Sequence, residues 1–256
     1  MLRGAPGGSA SAMPATPAWP PRALPRLFVE QPLADGAAVL LEGKPAHYLA
    51  NVLRLGEGAE VLLFDGASGE WRAAIRGATK KRLVLEVVER TREAEVLPPL
   101  TLAFAPVKRA PLEWLVEKAT ELGVARLQPV VTQRTVVERM NPARLALIAV
   151  EAAEQCGRTR LPEIAESMPL AKLLSDPPAP ILFADETGGR PLGEAVTPGA
   201  AACILIGPEG GFTPDERDAI LAAGASGIGL GPRILRAETA ALAAVSLYMA
   251  SAGDWR

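Results

Sequence analysis

The sequence predicts an α/β protein in two parts, a small β-barrel-like module followed by a larger domain built on a mostly parallel sheet. Residues 26–96 contain five short strand-like segments separated by turns, with one short helix among them. Residues 97–256 alternate apolar strands with amphipathic helices, which is typical of a parallel sheet covered on both faces. Between the two parts, residues 91–99 change in composition and contain Pro98-Pro99, so the domain boundary is predicted there.

The composition excludes several classes of protein. The chain has 256 residues, of which 49% are hydrophobic, so it can build a sizeable core without disulfide or metal staples. Cys156 and Cys203 form no C-x-x-C pair, which indicates a reducing, cytoplasmic location. A single histidine, His47, leaves almost nothing for a histidine metal site or a Ser-His-Asp triad, and no metal is expected. The net charge of −2 argues mildly against a nonspecific nucleic-acid coat but allows a local basic patch.

The first 25 residues differ from the rest. Residues 1–25 are rich in Ala, Pro, Gly and Ser and are predicted to form a disordered tail, with Met13 as an alternative start. They contain no signal-peptide h-region, and no later stretch approaches the about 20 apolar residues of a membrane span, so no membrane partner is expected.

Turn residues separate the strands of the first module, as at Asp65-Gly66 and Ser68-Gly69. The helix is predicted over residues 45–55, with an apolar side of Leu49, Val52 and Leu53. The five predicted strands are residues 26–30, 37–43, 58–66, 70–78 and 81–90.

Helix caps organise the second domain. Asn141 as N-cap and Pro142 at the first helical position begin one helix, and Gly157 ends it. The predicted strands are residues 100–107, 126–131, 181–185, 203–207 and 228–231. The predicted helices are residues 111–122, 142–155, 214–223 and 238–251.

Three predicted strands end in distinctive loops, at residues 184–187, 207–211 and 230–232. Any one of these loops could be only a tight turn. Ligands of open α/β sheets bind at the carboxyl ends of the strands, so the three loops together favour a binding site.

The loops lack the chemistry of two common phosphate sites. No G-K-[ST] follows the glycines, and the stretch GIGLGP lacks the third glycine of a dinucleotide fingerprint. The helix after residues 207–211 is capped by Thr213 and Glu216, and its first turn carries Asp215 and Glu216, which would repel phosphate. A nucleoside-like ligand without a phosphate chain, held largely by backbone groups, is therefore favoured.

Arg236 and Glu238 lie at the start of the last helix, beside the third loop. Such charges are often plain surface caps, but next to the glycine loops they favour a reactive cleft. The helix body is rich in small residues, which permit close packing within the subunit or across a symmetric partner.

These motifs resemble one family. Residues 206–216, IGPEGGFTPDE, followed by residues 230–244, LGPRILRAETAALAA, resemble the signature of the bacterial 16S ribosomal RNA uridine-N3 methyltransferases of the SPOUT class. Cys156 stands where that family often has serine. The resemblance covers about residues 26–256 and extends through residues 47–55, 107–124, 133–137 and 151–158.

The resemblance implies a C-terminal trefoil-knotted methyltransferase domain at residues 97–256, after a PUA-like β-barrel RNA-binding domain at residues 26–96. It implies S-adenosylmethionine as the cofactor, with residues 182–184 as one wall of its site. The cofactor residues that it implies are Gly207, Pro208, Glu209, Gly210, Leu230, Gly231, Ile234, Leu235, Thr239 and Ala240.

The same resemblance implies methyl transfer to N3 of a uridine in the small ribosomal subunit. Arg236 would steady the uracil anion or its phosphate, and Glu238 would hold that arginine or assist removal of the proton. The implied RNA contacts are Arg26, His47, Arg54, Lys108, Glu121, Arg134, Gln155 and Arg158. A histidine such as His47, taken alone, more commonly has a structural role than a binding role. For the five implied RNA contacts in the second domain, the alternative is a surface ion pair.

The family works as a homodimer, so a homodimer is expected here. Two alternatives to the enzyme remain from the sequence. One is a ribosome-assembly factor that keeps the fold without turnover, and the other is a different nucleoside-binding α/β enzyme.

Overall fold

The structure, a computed structural model, describes residues 24–79, 82–136 and 140–255. These residues contain two β-sheets, and the apolar core of the N-terminal sheet is separate from those of the C-terminal sheet. The predicted tail lies outside these residues except for its last two positions, and so does Met13. In the described part of the chain, no helix is long and apolar enough to cross a membrane.

The N-terminal sheet contains the five predicted strands in the order β1-β3-β4-β5-β2. Its strands are β1 (Arg26–Phe28), β2 (Ala38–Glu42), β3 (Glu60–Phe64), β4 (Glu70–Ala78) and β5 (Arg82–Arg92). The pairing is antiparallel except between β1 and β3. The register shifts three times between β4 and β5, and such irregularities bend and twist long strands. One face of this sheet carries the buried core that includes Leu63, Ile75 and Leu85.

The helix of this module differs from the prediction. Helix α1 (Gly43–His47) continues directly into a π-helical turn (Tyr48–Val52), in which the Leu53 amide donates to the Tyr48 carbonyl at 2.9 Å. Leu49 is fully buried, but Val52 and Leu53 are 58% and 36% exposed. A single apolar side for these three residues was therefore wrong, because the wider π turn changes the angular spacing of the side chains.

The C-terminal sheet is parallel at every recorded pairing, in the order β11-β13-β10-β12-β6-β7-β8, with β9 beside β7. Its strands are β6 (Leu100–Phe104), β7 (Arg126–Val131), β8 (Glu163–Ile164), β9 (Met168–Pro169), β10 (Ile181–Ala184), β11 (Arg190–Pro191), β12 (Ala202–Ile206) and β13 (Ser226–Gly229). The predicted strand at residues 228–231 begins two residues earlier, so Leu230 and Gly231 lie in the loop that follows it. The strands of two residues were not predicted because they are too short to show a period.

Helices cover both faces of this sheet. They are α2 (Arg109–Glu121), α3 (Pro142–Cys156), α4 (Leu170–Ser175), α5 (Leu192–Ala195), α6 (Pro214–Ala222) and α7 (Ala237–Ser251). One core joins α2, α3 and α7 to the sheet, and a second core on the other face includes α4 and α6. The predicted cap is confirmed, since the Asn141 side chain accepts from the Arg144 amide and Gly157 ends α3 at φ 85°. Cys203 of β12 is fully buried, and burial raises its pKa to about 12.

Arg26 lies at the junction between the two domains. Its guanidinium donates to Glu70 at 2.6 Å, to the Ala153 carbonyl at 2.6 Å and to the Arg158 carbonyl, and it stacks 4.0 Å from the Phe64 ring. The side chain is only 10% exposed. The guanidinium is therefore buried and bonded within the protein, and the expected RNA contact of Arg26 stays a prediction.

Arg158 lies in the same junction and is also buried, with a side chain 6% exposed. It donates to the carbonyls of Thr120 at 2.8 Å and Val124 at 3.1 Å, so it fixes the end of α2. Glu95, its ion-pair partner, accepts from the Thr159 amide at 3.0 Å. Arg158 is therefore also bonded within the protein, and its expected RNA contact stays a prediction.

Candidate functional site

The three glycine-containing loops meet at one edge of the C-terminal sheet. Strands β13, β10 and β12 are neighbours and run parallel, so their carboxyl ends lie side by side. The loops that follow are residues 185–189, 207–211 and 230–236. Three loops that are far apart along the chain thus border one surface, the usual ligand position in such sheets.

Two of the predicted RNA residues reach the same edge. Strands β6 and β7 continue the sheet beyond β12; Lys108 follows β6 as the residue before α2, and Arg134 follows β7. Lys108, Arg233 and Arg236 are exposed and form no ion pair with any described residue. Unpaired cations at one edge attract a polyanion such as RNA.

Close packing shapes the loop after β12. A Cβ on Gly207 would lie 3.0 Å from the Phe212 ring, so glycine allows the ring to fold against the main chain. The Phe212 ring packs edge-on against Phe183 of β10, with 6.4 Å between the centroids. The Gly211 amide closes a tight turn by donating to the Pro208 carbonyl at 2.8 Å, and Glu209 is left exposed at its tip.

Arg134 clamps this turn. Its Nη1 donates to the Gly210 carbonyl at 2.5 Å and to the Phe212 carbonyl at 3.4 Å. A Cβ on Gly210 would lie 3.3 Å from the Arg134 Cδ, so the arginine stem also packs on the glycine. The structure therefore brings Arg134 into contact with the predicted cofactor loop, although the sequence had placed it with the RNA.

The first turn of α6 joins that loop to the segment after β7. The predicted capping box is confirmed: the Thr213 side chain accepts from the Glu216 amide, and the Glu216 carboxylate accepts from the Thr213 amide. The other Glu216 oxygen accepts from the Gln133 amide at 2.7 Å, and Glu216 is buried. This second bond holds the segment that positions Arg134.

Arg217, in the same turn, reaches the loop after β10. Its guanidinium donates to Asp185 at 2.8 Å and to the Thr187 hydroxyl at 3.0 Å. Burial alone would raise the pKa of Asp185, but hydrogen bonds from Arg217 and Thr187 outweigh it and hold the pKa below its usual range. Glu216 and Arg217 thus tie together the loops after β7, β10 and β12, a role that sequence reasoning missed. The TPDER stretch after the glycines was the available signal.

The third loop is the most open. Gly231 has φ 100°, which suits glycine, and nothing lies within 4 Å of where its Cβ would be. Leu230 and Leu235 are half-buried against the core, while Ile234 is 81% exposed. The loop thus offers an apolar shelf beside free main-chain groups.

The remaining predicted residues of this edge lie at the start of α7. Arg236 is the N-cap residue and is exposed, Glu238 is half-buried, Thr239 is exposed and Ala240 is buried. Among the contacts of the described residues, no ion pair joins Arg236 to Glu238, so the expected bridge between them is not formed.

Glu121 and Gln155 lie elsewhere. They line a groove of about 780 Å³ between α2 and α3, and Glu121 pairs with Lys118 at 2.8 Å. Helix α2 begins beside Lys108 and has thirteen residues, so Glu121 lies roughly 20 Å from that end. The structure therefore does not bring these two residues to the glycine loops.

Comparisons with known proteins match both parts of the chain. A family model described as an RNA methyltransferase domain matches residues 94–249, and one described as an RNA methyltransferase PUA domain matches residues 41–88. Ribosomal RNA small subunit methyltransferase E from Synechocystis is 32% identical over 231 residues, covering 86% of this chain and 76% of that protein. The protein of that name from Rickettsia conorii is 30% identical over 227 residues, covering 86% of this chain and 93% of that protein.

A solved structure gives the same relationship. Ribosomal RNA small subunit methyltransferase E from Neisseria gonorrhoeae, solved bound to S-adenosyl methionine, superimposes with a TM-score of 0.82 at 29% identity. The match covers 91% of this chain and all of that one. The fold and the gathered loops define a methyltransferase of the SPOUT class with a PUA-like N-terminal domain. The chain belongs to the RNA methyltransferase domain family. Threading of its loops into a trefoil knot stays a prediction.

Proposed function

We propose that this protein transfers a methyl group from S-adenosylmethionine to N3 of a specific uridine in the 16S ribosomal RNA of the small subunit. The observation that carries the proposal is the meeting of three glycine-containing loops and a rim of unpaired cations at one sheet edge. Relatives named ribosomal RNA small subunit methyltransferase E support the choice of substrate. Ribosomal RNA as the substrate also implies a cytoplasmic location.

The residues at this edge fit such a cofactor. The open space at Gly231 and the half-buried Leu230 and Leu235 suit a flat adenine held by main-chain groups. The exposed carboxylate of Glu209 suits ribose hydroxyls or the amino group of the methionine part. The acidic first turn of α6 disfavours a phosphate chain, which this cofactor lacks.

The chain's own residues would hold and activate the uracil. The bound cofactor supplies an electrophilic methyl group on a positively charged sulfur. For N3 to form the new bond, it must lose its proton, and the resulting negative charge spreads over the uracil oxygens. Arg236 and Lys108 are placed at this edge to stabilise that charge, and Glu238 is the candidate acceptor of the proton. Orientation of the base against the methyl group would supply much of the remaining rate.

The test is transfer of a tritiated methyl group to unmodified small subunits and to naked 16S RNA, followed by nucleoside analysis. We expect 3-methyluridine with the wild type, and a fall in kcat of roughly 100-fold or more with Arg236→Ala. Label on another base would refute the uridine assignment. Tight subunit binding without any label would favour the assembly factor instead.

We also propose that the working form is a homodimer. The exposed apolar side chains of Leu247 on α7 and of Ile234 in the third loop support a partner that covers them. Light scattering after gel filtration should give twice the chain mass, and Leu247→Glu should shift it towards the monomer. A monomeric wild type at micromolar concentration would exclude the dimer.

A further inference from the structure

The groove between α2 and α3 is lined by residues to which the proposed function gives no role. It has a volume of about 780 Å³ and extends from Ala110, near the start of α2, to Gln155, near the end of α3. Trp114 lines it between these ends and is 44% exposed. An open indole ring in a groove is a preferred contact for a binding partner, because it offers a large and rigid apolar surface.

The groove carries an excess of negative charge. Lys118 is shared between Glu117 and Glu121, at 2.8 Å from each, and Glu151 is exposed and forms no ion pair with any described residue. This excess repels the phosphates of RNA and attracts a cationic peptide. The charged residues of the lining are Glu113, Glu117, Lys118, Glu121, Arg144 and Glu151.

One polar group of the lining lacks a partner. The Arg144 Nε is shielded from solvent and has no hydrogen-bond partner among the described residues, while Nη2 of the same side chain donates to Glu113 at 3.2 Å. A shielded donor costs free energy unless an acceptor meets it. A main-chain carbonyl of a peptide lying in the groove would be such an acceptor.

Residues 1–23 have the matching chemistry. They contain no Asp or Glu and carry Arg22 close to the first strand. Pro14, Pro17 and Pro20 recur at every third residue, which is the period of a polyproline II helix. Residues 14–20 are here called the proline run. Segments of this kind leave their carbonyls free and bind grooves lined by aromatic side chains.

The described chain begins beside one end of the groove. The Arg26 guanidinium donates to the Ala153 carbonyl at 2.6 Å, and the Phe28 amide donates to Glu154 at 2.9 Å, so β1 starts against the last turn of α3. Gln155, in the same turn, lines the groove. A segment just before β1 is therefore tethered at the groove, at an effective concentration on the order of millimolar.

The dimensions of the two parts agree. Arg22 is separated from Arg26 by a reach of up to about 13 Å, so its guanidinium can meet Glu121 and Glu151 at this end of the groove. The proline run would be about 19 Å long as a polyproline II helix, and α2 is about 17 Å long over residues 110–121, which border the groove.

We infer that the proline run binds in the groove between α2 and α3 of its own chain, with prolines packed on the Trp114 ring and Arg22 between Glu121 and Glu151. A main-chain carbonyl of the run accepts from the Arg144 Nε. The sequence predicts a tail that is disordered by itself, and such segments become ordered on binding. This inference does not depend on the proposed function.

The first experiment uses the full-length chain labelled with fluorotryptophan, and a neutral gadolinium chelate that broadens the fluorine NMR signals of exposed indoles. Trp255 is the internal reference, because Trp114 and Trp255 are similarly exposed, at 44% and 51%. We expect the Trp114 signal to be broadened roughly twofold less than that of Trp255, since a tethered segment covers the ring most of the time. A glycine variant, Pro17→Gly with Pro20→Gly, should lose this protection because glycine does not favour the extended helix.

The matched control is Pro6→Gly with Ala12→Gly, which changes as many residues outside the proline run and should keep the protection. Equal broadening of Trp114 and Trp255 in the wild type would overturn the inference. Protection that survives in the glycine variant would overturn it as well, because something other than the proline run would then cover the ring. Protection that falls on dilution would identify a second copy of the chain as the occupant and would also overturn it.

The second experiment tests the charge contact. Arg22→Glu should remove the protection of Trp114, because it places a like charge beside Glu151, and adding Glu151→Arg should restore at least part of it. Glu166→Arg added to Arg22→Glu is the matched control and should restore nothing, because Glu166 is an exposed carboxylate outside the groove. Full protection in Arg22→Glu, or equal recovery with Glu151→Arg and Glu166→Arg, would overturn the inference.

Discussion

At the scale of the residue, Arg134 and Arg26 show that the role of an arginine depends on its hydrogen-bond partners. Arg134 donates hydrogen bonds to the carbonyls of Gly210 and Phe212, so it stabilises the loop that is proposed to bind the cofactor. Arg26 is buried against Glu70, the Ala153 carbonyl of α3 and the Arg158 carbonyl, so it holds two domains together. Neither guanidinium behaves as a free surface charge.

Arg134→Ala should weaken S-adenosylmethionine binding roughly tenfold, which is about 1.4 kcal/mol, because the Gly210 carbonyl loses its charged donor. Calorimetry measures this directly. Arg76→Ala, which breaks an exposed ion pair with Glu86, is the control and should bind normally. If Arg134→Ala instead binds the cofactor normally and RNA poorly, the arginine is an RNA contact.

Arg26→Ala should lower the free energy of unfolding by about 3–5 kcal/mol, because it leaves the buried Glu70 carboxylate without one partner. Urea titration followed by circular dichroism gives the value. Arg76→Ala again serves as the exposed counterpart, with an expected cost of about 0–1 kcal/mol. Equal costs for the two variants would show that the junction pair contributes no more than a surface pair.

At the scale of the element, the first turn of α6 acts as a connector. Thr213 and Glu216 cap the helix, Glu216 also binds the Gln133 amide, and Arg217 binds Asp185. A nine-residue helix with a weak apolar stripe therefore fixes three loops that come from distant parts of the chain. If the proposed cofactor site is correct, these connections fix its loops at the ends of β7, β10 and β12 before a ligand binds.

Thr213→Ala should cost about 1 kcal/mol, as for a lost N-cap, while Glu216→Ala should cost about 2–3 kcal/mol because it also frees the Gln133 amide. Hydrogen exchange separates the two variants: amides of residues 132–135 should exchange faster in Glu216→Ala only. Faster exchange there in both variants would mean that helix fraying, rather than the bond to Gln133, controls that segment.

At the scale of the whole molecule, the two domains are joined by buried charges. Glu70 of β4 accepts from Arg26 and Arg92, and Glu154 of α3 accepts from the Phe28 amide at 2.9 Å. Burial alone would raise the pKa of Glu70, but hydrogen bonds from Arg92 and Arg26 outweigh it and lower the pKa. The junction is therefore sensitive to acid.

The pH dependence of the free energy of unfolding follows from the lowered pKa of Glu70. A carboxyl whose pKa is lower in the folded protein stabilises it at pH values above the unfolded value of 4.5, and this stabilisation is lost as pH falls through the folded pKa. We expect the free energy of unfolding to drop on acidification below about pH 4.5, by at most about 1.4 kcal/mol per pH unit for each such group. Glu70→Gln should be less stable at pH 7 but show a smaller drop. A drop of the same size in Glu70→Gln would assign the acid sensitivity to other carboxyls, such as Asp65 and Asp185.

The sequence by itself determined the order of elements, because each depends on residues close together in the chain. The strand predicted at residues 81–90, the cap at Asn141 and the capping box at Thr213 are local features, and the structure confirms all three. The motifs also determined the family, since they occur in order across both domains. Even the apolar face of a short helix was beyond local reasoning once a π turn intervened.

Only the tertiary structure decided which residues meet. Strand order placed Lys108 and Arg134 at the edge of the glycine loops, and it carried Glu121 and Gln155 to the far end of α2 and α3. Burial decided that Arg26 holds the domains together while Arg236 stays free. The physical reason is that an arginine binds whichever carbonyl or carboxylate lies within about 3 Å, and that neighbour comes from a distant part of the chain.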